Sequence, residues 1–146
     1  MKDKVLQDGP EKTFALVFDM GEEVVAGLLR FAKDHNVTAA HLNGIGAFER
    51  VTLGFFDLAE KDYRKIPIEQ QVELVSLVGN IAQGDNGEPR LHAHVVIGKP
   101  DGTAHGGHLL EAVVRPTLEL VVVESPRHLR RRTRADLGLA LLDLSS

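Results

Sequence analysis

Leu91-His-Ala-His-Val-Val-Ile-Gly-Lys-Pro-Asp-Gly-Thr-Ala-His-Gly-Gly-His-Leu109 reads as two strands joined by a tight turn. Its register decides which side chains the fold brings together. Pro100 suits the second position of a type I turn, Asp101 the next, and Gly102 the left-handed position of a three-residue loop with a G1 bulge. Such a loop pairs Lys99 with Thr103. Counting back, His94 falls opposite His108, and His92 opposite Leu110. Directly paired side chains share a face, as do residues two apart along a strand. His92, His94 and His108 therefore converge, and His105 points to the other face, opposite Ile97. A two-residue loop would reverse this and select His105. Pro-Asp-Gly favours the bulged loop. Gly106 and Gly107 leave open space beside His94.

Outward from this hairpin the chain is rich in strand signals. Residues 1–12 are polar, end in a Gly-Pro pair and an acidic-basic pair, and read as a short arm before a domain over 13–146. Thr13–Phe18 predicts a strand. Asp19-Met-Gly-Glu22 resembles a capping box with Asp19 as N-cap. Val24, Val25, Leu28, Phe31 and Ala32 follow at helical spacing, and Asn36 suits a left-handed stop. Strands are then predicted over 37–42, 51–56, 63–68, 72–78, 91–97, 103–109, 117–123 and 139–144. Asn43-Gly-Ile-Gly46 reads as a tight strand exit, Gly79 as a break, and Pro116 and Pro126 as brackets around a strand. Pro67 argues for an edge position. One main helix among many hairpin-linked strands gives an α+β class with a largely antiparallel sheet.

Composition bounds the function. The 146 residues suffice for one domain with its own core, and 43% hydrophobic against 26% charged is ordinary for a globular protein. There is no cysteine, so any metal must use histidine and oxygen ligands. No signal-peptide h-region and no run of about 18 apolar residues is present, which points to the cytoplasm. The net charge of −4 gives no whole-domain attraction to nucleic acid.

Four of the seven histidines lie in the opening stretch. Three neutral imidazoles on one metal leave a position open for water or a ligand. The same centre could lower the pKa of a bound water and hydrolyse a small substrate, with Glu111 as the nearest candidate general base. Arg127, Arg130, Arg131, Arg132 and Arg134 form the one basic cluster. It reads either as a phosphate-contacting patch or as a solvated turn paired with carboxylates. His41 reads as a packing residue, and neither Ser76 nor Ser125 sits in a nucleophile elbow.

The chain resembles the plant- and prokaryote-conserved (PPC) domain family in its stand-alone prokaryotic form. The resemblance rests on Gly21-Glu22, Phe31-Ala32-Lys33, Asn43-Gly-Ile-Gly-Ala47, Leu53-Gly-Phe-Phe-Asp57, Val75-Ser-Leu-Val-Gly-Asn80, Leu91-His-Ala-His94 and Gly106-Gly-His-Leu109. It covers about residues 12–124 and extends into Ser125-Pro-Arg-His-Leu-Arg. It implies an antiparallel-rich α+β fold, a homotrimer, and zinc on the positions of His92, His94 and His108. Plant relatives add an AT-hook for the DNA minor groove; this chain lacks its Arg-Gly-Arg-Pro core.

The expected function is a metal-binding, zinc-containing homotrimer with an unknown small ligand. The alternatives are a metal-dependent hydrolase of unknown substrate and a DNA-associated regulatory protein binding nucleic acid weakly. Leu118, Leu120, Val121, Val122 and Val123 are apolar at both alternations, as in strands buried on both faces. Either a neighbouring subunit or the segment 127–146 could provide the second cover.

Overall fold

Two strands far longer than the sequence suggests organise the molecule. The computed structural model describes residues 1–125 and 127–145; the bracket expected at Pro126 lies outside them. In order, β1 is Lys2–Gln7, β2 Thr13–Phe18, α1 Val24–Asp34, β3 Ala39–Asp57, β4 Asp62–Ile68 and β5 Val72–Gln83. Then follow β6 Pro89–Gly98, β7 Ala104–Glu124, β8 Arg130–Arg134 and β9 Leu139–Asp143. The fold is α+β, dominated by antiparallel strands, with one helix among the described residues.

β3 and β7 pair antiparallel from Ala40↔Glu124 to Gly54↔His108. Each spans what reads from sequence as two strands. The expected exit at Asn43–Gly46 is a register shift in the β3–β5 pair, where an extra residue on β5 interrupts the ladder without ending β3. Pro116 breaks nothing, because it lies where the β3–β7 ladder skips from Phe48↔Val114 to Gly46↔Leu118. A proline's missing N–H is tolerated at such an interruption. Gly79 likewise stays inside β5. Pro67 does sit on an edge, since β4 pairs with β3 alone.

The pairings β3–β5, β5–β6, β6–β7 and β7–β3 close into a ring. β2 adds to β7, and β1 to β2, so the polar segment read as an arm contains a paired strand. Inside the ring lie Leu53, Leu74, Leu77, Ile81, Val95, Ile97 and Leu118, all nearly inaccessible to solvent. α1 closes this core. Phe31 meets Phe14 edge-on at 5.0 Å, and Gly27 lets the helix approach Phe18.

The helix begins four residues later than a capping box at Asp19 would place it. Glu23 is the N-cap, accepting from Val25 N and Ala26 N. Glu22 does reach back to the Asp19 amide, at 2.8 Å. However, Gly21 and Glu22 are tied to Val114 of β7 by backbone bonds of 2.9 and 3.0 Å. That bridging holds the turn extended and passes the cap to Glu23. Asn36 takes φ 55 after the helix, as its type allows.

β8 and β9 form a hairpin where the sequence shows only a basic cluster and one strand. It joins the main sheet through a single parallel bridge, Gln83↔Arg130. It leaves the outer face of β2, β3, β5 and β7 bare. There Val17 is 37% exposed, Val121 39%, Val78 54% and Ile45 61%.

Candidate metal centre

The hairpin loop between β6 and β7 takes the three-residue form. Gly102 has φ 82, its N–H donates to the Lys99 carbonyl at 2.8 Å, and Lys99 N–H donates to the Thr103 carbonyl at 2.9 Å. The ladder then runs Gly98↔Ala104, Ile97↔His105 and His94↔His108. Alternation sends Ala93, Val95 and Ile97 into the core and His92 and His94 outward. His108 stands where β7 leaves β6 for β3, paired with both His94 and Gly54. His105 belongs to the other side of the register and stands apart from the other three.

The three imidazoles meet. One ring nitrogen from each lies within 4.8 Å of the others. His92 Nε2 and His94 Nε2 are 3.2 Å apart. Two nitrogens at zinc-ligand distance on one tetrahedral ion stand about 3.3 Å apart. Tyr63 of β4 stacks on His108 at 4.6 Å, and His108 Nδ1 is buried without a hydrogen-bond partner. Buried polar atoms are rarely left unpaired.

The electrostatics favour the neutral form of His92 and His108. Burial first, then the charges of His92, His94 and Arg131, push the His108 pKa down to about 4. His92 is lowered by burial, and further by Arg131 and His94. A metal ligand must be the neutral imidazole. The donor set, an orphaned buried nitrogen and a suppressed charge all fit a metal ion, held by His92, His94 and His108.

The trio forms one end of a cleft of about 830 Å³. β4 contributes Tyr63, β3 contributes Phe55 and Phe56, and the β8–β9 hairpin contributes Arg131 and Leu139 to Leu141. Asp85 and Arg90 line it from the β5–β6 connection and β6. Glu111 does not. Its carboxylate accepts from Thr52 Oγ1 at 2.9 Å across the β3–β7 pair, and it is not among the residues lining the cleft. The expectation of Glu111 as a base beside the metal is therefore corrected: it pairs with Thr52 further along β7, and Thr52 engages its carboxylate.

Sequence reasoning missed Tyr63 and Arg131. Tyr63 follows an ordinary hairpin turn, and only the β3–β4 register carries it over His108. Arg131 is one of five similar arginines. Only its place on β8 turns it inward, where it is 6% exposed. No local sequence signal singles out Arg131; its burial between exposed Arg130 and Arg132 emerges only from the strand.

No curated protein matches the sequence. Three solved structures are closely similar in fold. A plant- and prokaryote-conserved protein from Pyrococcus horikoshii shares 32% identity over 99% of this chain and 96% of its own, with a TM-score of 0.85. A candidate DNA-binding protein from Bacteroides thetaiotaomicron shares 30% over 99% of each chain, with a TM-score of 0.87. A metal-containing protein from Archaeoglobus fulgidus shares 32% over 97% of this chain and 96% of its own, with a TM-score of 0.82. The model of the Plants and Prokaryotes Conserved domain matches residues 6–126, which hold every strand of the closed ring and all three clustered histidines. By sequence and by fold, this chain is a member of the Plants and Prokaryotes Conserved domain family.

Proposed function

We propose that the protein is a zinc-binding homotrimer that holds a small ligand at the metal's open position. The observation that carries the metal reading is the convergence of one ring nitrogen each from His92, His94 and His108. The metal-containing relative from Archaeoglobus fulgidus supports it. Zinc suits an all-nitrogen, cysteine-free set with three ligands. Bound there, it supplies a Lewis-acid centre with an exchangeable site. The protein's own residues favour neutral His92 and His108 and stack Tyr63 on the His108 ring.

The trimer reading rests on the bare apolar face of β2, β3, β5 and β7, with Val17, Ile45, Val78 and Val121. Closed three-fold contact would cover it on every copy. The cellular setting proposed is the cytoplasm; no helix among the described residues is long and apolar enough to cross a membrane.

Metal analysis of the purified protein tests the central claim. About one zinc per chain is expected, removable by chelator without unfolding, because the core is independent of the site. Less than a tenth of an ion per chain after growth in zinc-replete medium and zinc titration would defeat it.

A further inference from the structure

The cleft also carries a charge with no counter-charge. Arg131 Nη2 donates to Asn80 Oδ1 at 2.6 Å and Nη1 to the Ala140 carbonyl at 3.1 Å. Both acceptors are neutral, and Nε has none. Two other arginines of β8 have carboxylate partners: Arg132 meets Asp143 at 3.2 Å and Arg134 meets Asp136 at 2.8 Å. Among the described residues Arg131 has no ion pair. A buried guanidinium without an anion is costly to keep.

The remaining walls sharpen the point. Arg90 also lines the cleft. The one carboxylate there, Asp85, already accepts from the Thr133 amide at 3.1 Å and the Thr133 hydroxyl at 2.6 Å. Phe55, Leu91, Leu139 and Leu141 add apolar surface to the same lining. The volume suits an organic molecule rather than a lone ion. Arg131 also lies beyond residues 6–126, so the family match does not account for it.

We infer that the cleft binds an organic anion. Its oxyanion head sits between the histidine corner and Arg131, and its apolar body lies against Phe55, Leu91 and Leu141. The planar guanidinium is suited to such a head, whether carboxylate or phosphate. The inference rests on the metal reading above for one of the two contacts to the head.

Calorimetric titration of the zinc-loaded protein tests it, with hexanoate, hexyl phosphate, acetate and hexylamine as probes. Hexanoate or hexyl phosphate is expected to bind at least tenfold more tightly than acetate, and hexylamine not to bind. The tighter of the two hexyl anions identifies the head. Arg131→Gln should weaken that anion at least tenfold with zinc content unchanged. Leu141→Asp, at a position 37% exposed, leaves the bonds of Arg131 intact and adds a negative charge to the wall. It should weaken the anion likewise, which guards against misfolding in the first variant. Unchanged affinity in Leu141→Asp, or hexylamine binding as tightly as hexanoate, overturns the inference. If zinc is held and no anion binds, this inference fails and the metal reading stands. If no zinc is held but hexanoate still binds through Arg131, the metal reading fails and the anion site stands.

Discussion

At the scale of single residues, the histidines divide by register, and the division can be measured. His94→Ala should abolish stoichiometric zinc binding, because it removes one of three ligands. His105→Ala should leave it intact, since His105 pairs with Ile97 on the other side of the register. Loss of zinc in His105→Ala alone would overturn the assignment. The pH dependence follows from the same ring burial. In the metal-free protein the His108 pKa is about 4 against an ordinary 6.5. Between those values the unfolded chain binds more protons than the folded one, so stability rises with pH there. The contribution is complete above pH 6.5 and is lost as pH falls towards 4. Urea midpoints under chelator should therefore drop more steeply across this window in the wild type than in His108→Asn. Equal slopes would count against a neutral, buried His108.

At the scale of elements, β6 depends on the close approach of β5. A Cβ on Gly79 would stand 2.6 Å from the His92 carbonyl and 2.9 Å from Ala93 Cβ. Gly79→Ala must push the strand that carries two ligands away from its neighbour. Overpacking of this kind costs about 1–3 kcal/mol, and zinc affinity should fall with it. A urea midpoint and zinc affinity both equal to wild type would show that β6 gives way freely. The same elements explain what was legible in the sequence. Pro-Asp-Gly fixed its own turn, so the register of His92, His94 and His108 followed from local chemistry. The helix face was legible from spacing. The long strands were not, because Gly44, Gly46, Gly79 and Pro116 mark local bends as readily as ends. Only pairing on both sides carries a chain through them. The β8 strand was hidden because Arg130 to Arg134 have no apolar alternation, and it pairs with β9 rather than with the core. Glu111 was misread because nearness to His108 along the chain does not bring its carboxylate into the cleft; Thr52 of β3 holds it instead.

At the scale of the whole molecule, two surfaces make separate predictions. Light scattering should give about three times the 16.0 kDa chain mass. Ile45→Asp, on the bare face of β3, should reduce it to the monomer while leaving the zinc site loaded. A wild-type mass near that of one chain would remove the trimer. The arginine surface predicts weak contact with duplex DNA. Arg131 is buried, Arg132 and Arg134 are paired with aspartates, and the net charge is −4. Any binding should lack sequence preference and fade steeply between low and physiological salt. A tight, selective complex that survives high salt would restore the nucleic-acid reading. The attachment of the terminal hairpin has a wider consequence. It touches the ring through one bridge, one arginine and one aspartate–threonine clasp, yet it builds the far wall of the cleft. The histidine cluster and this wall are thus written in separate stretches of chain. Rewriting the last stretch alone can change what the protein accepts, as a lock is rekeyed without replacing the door.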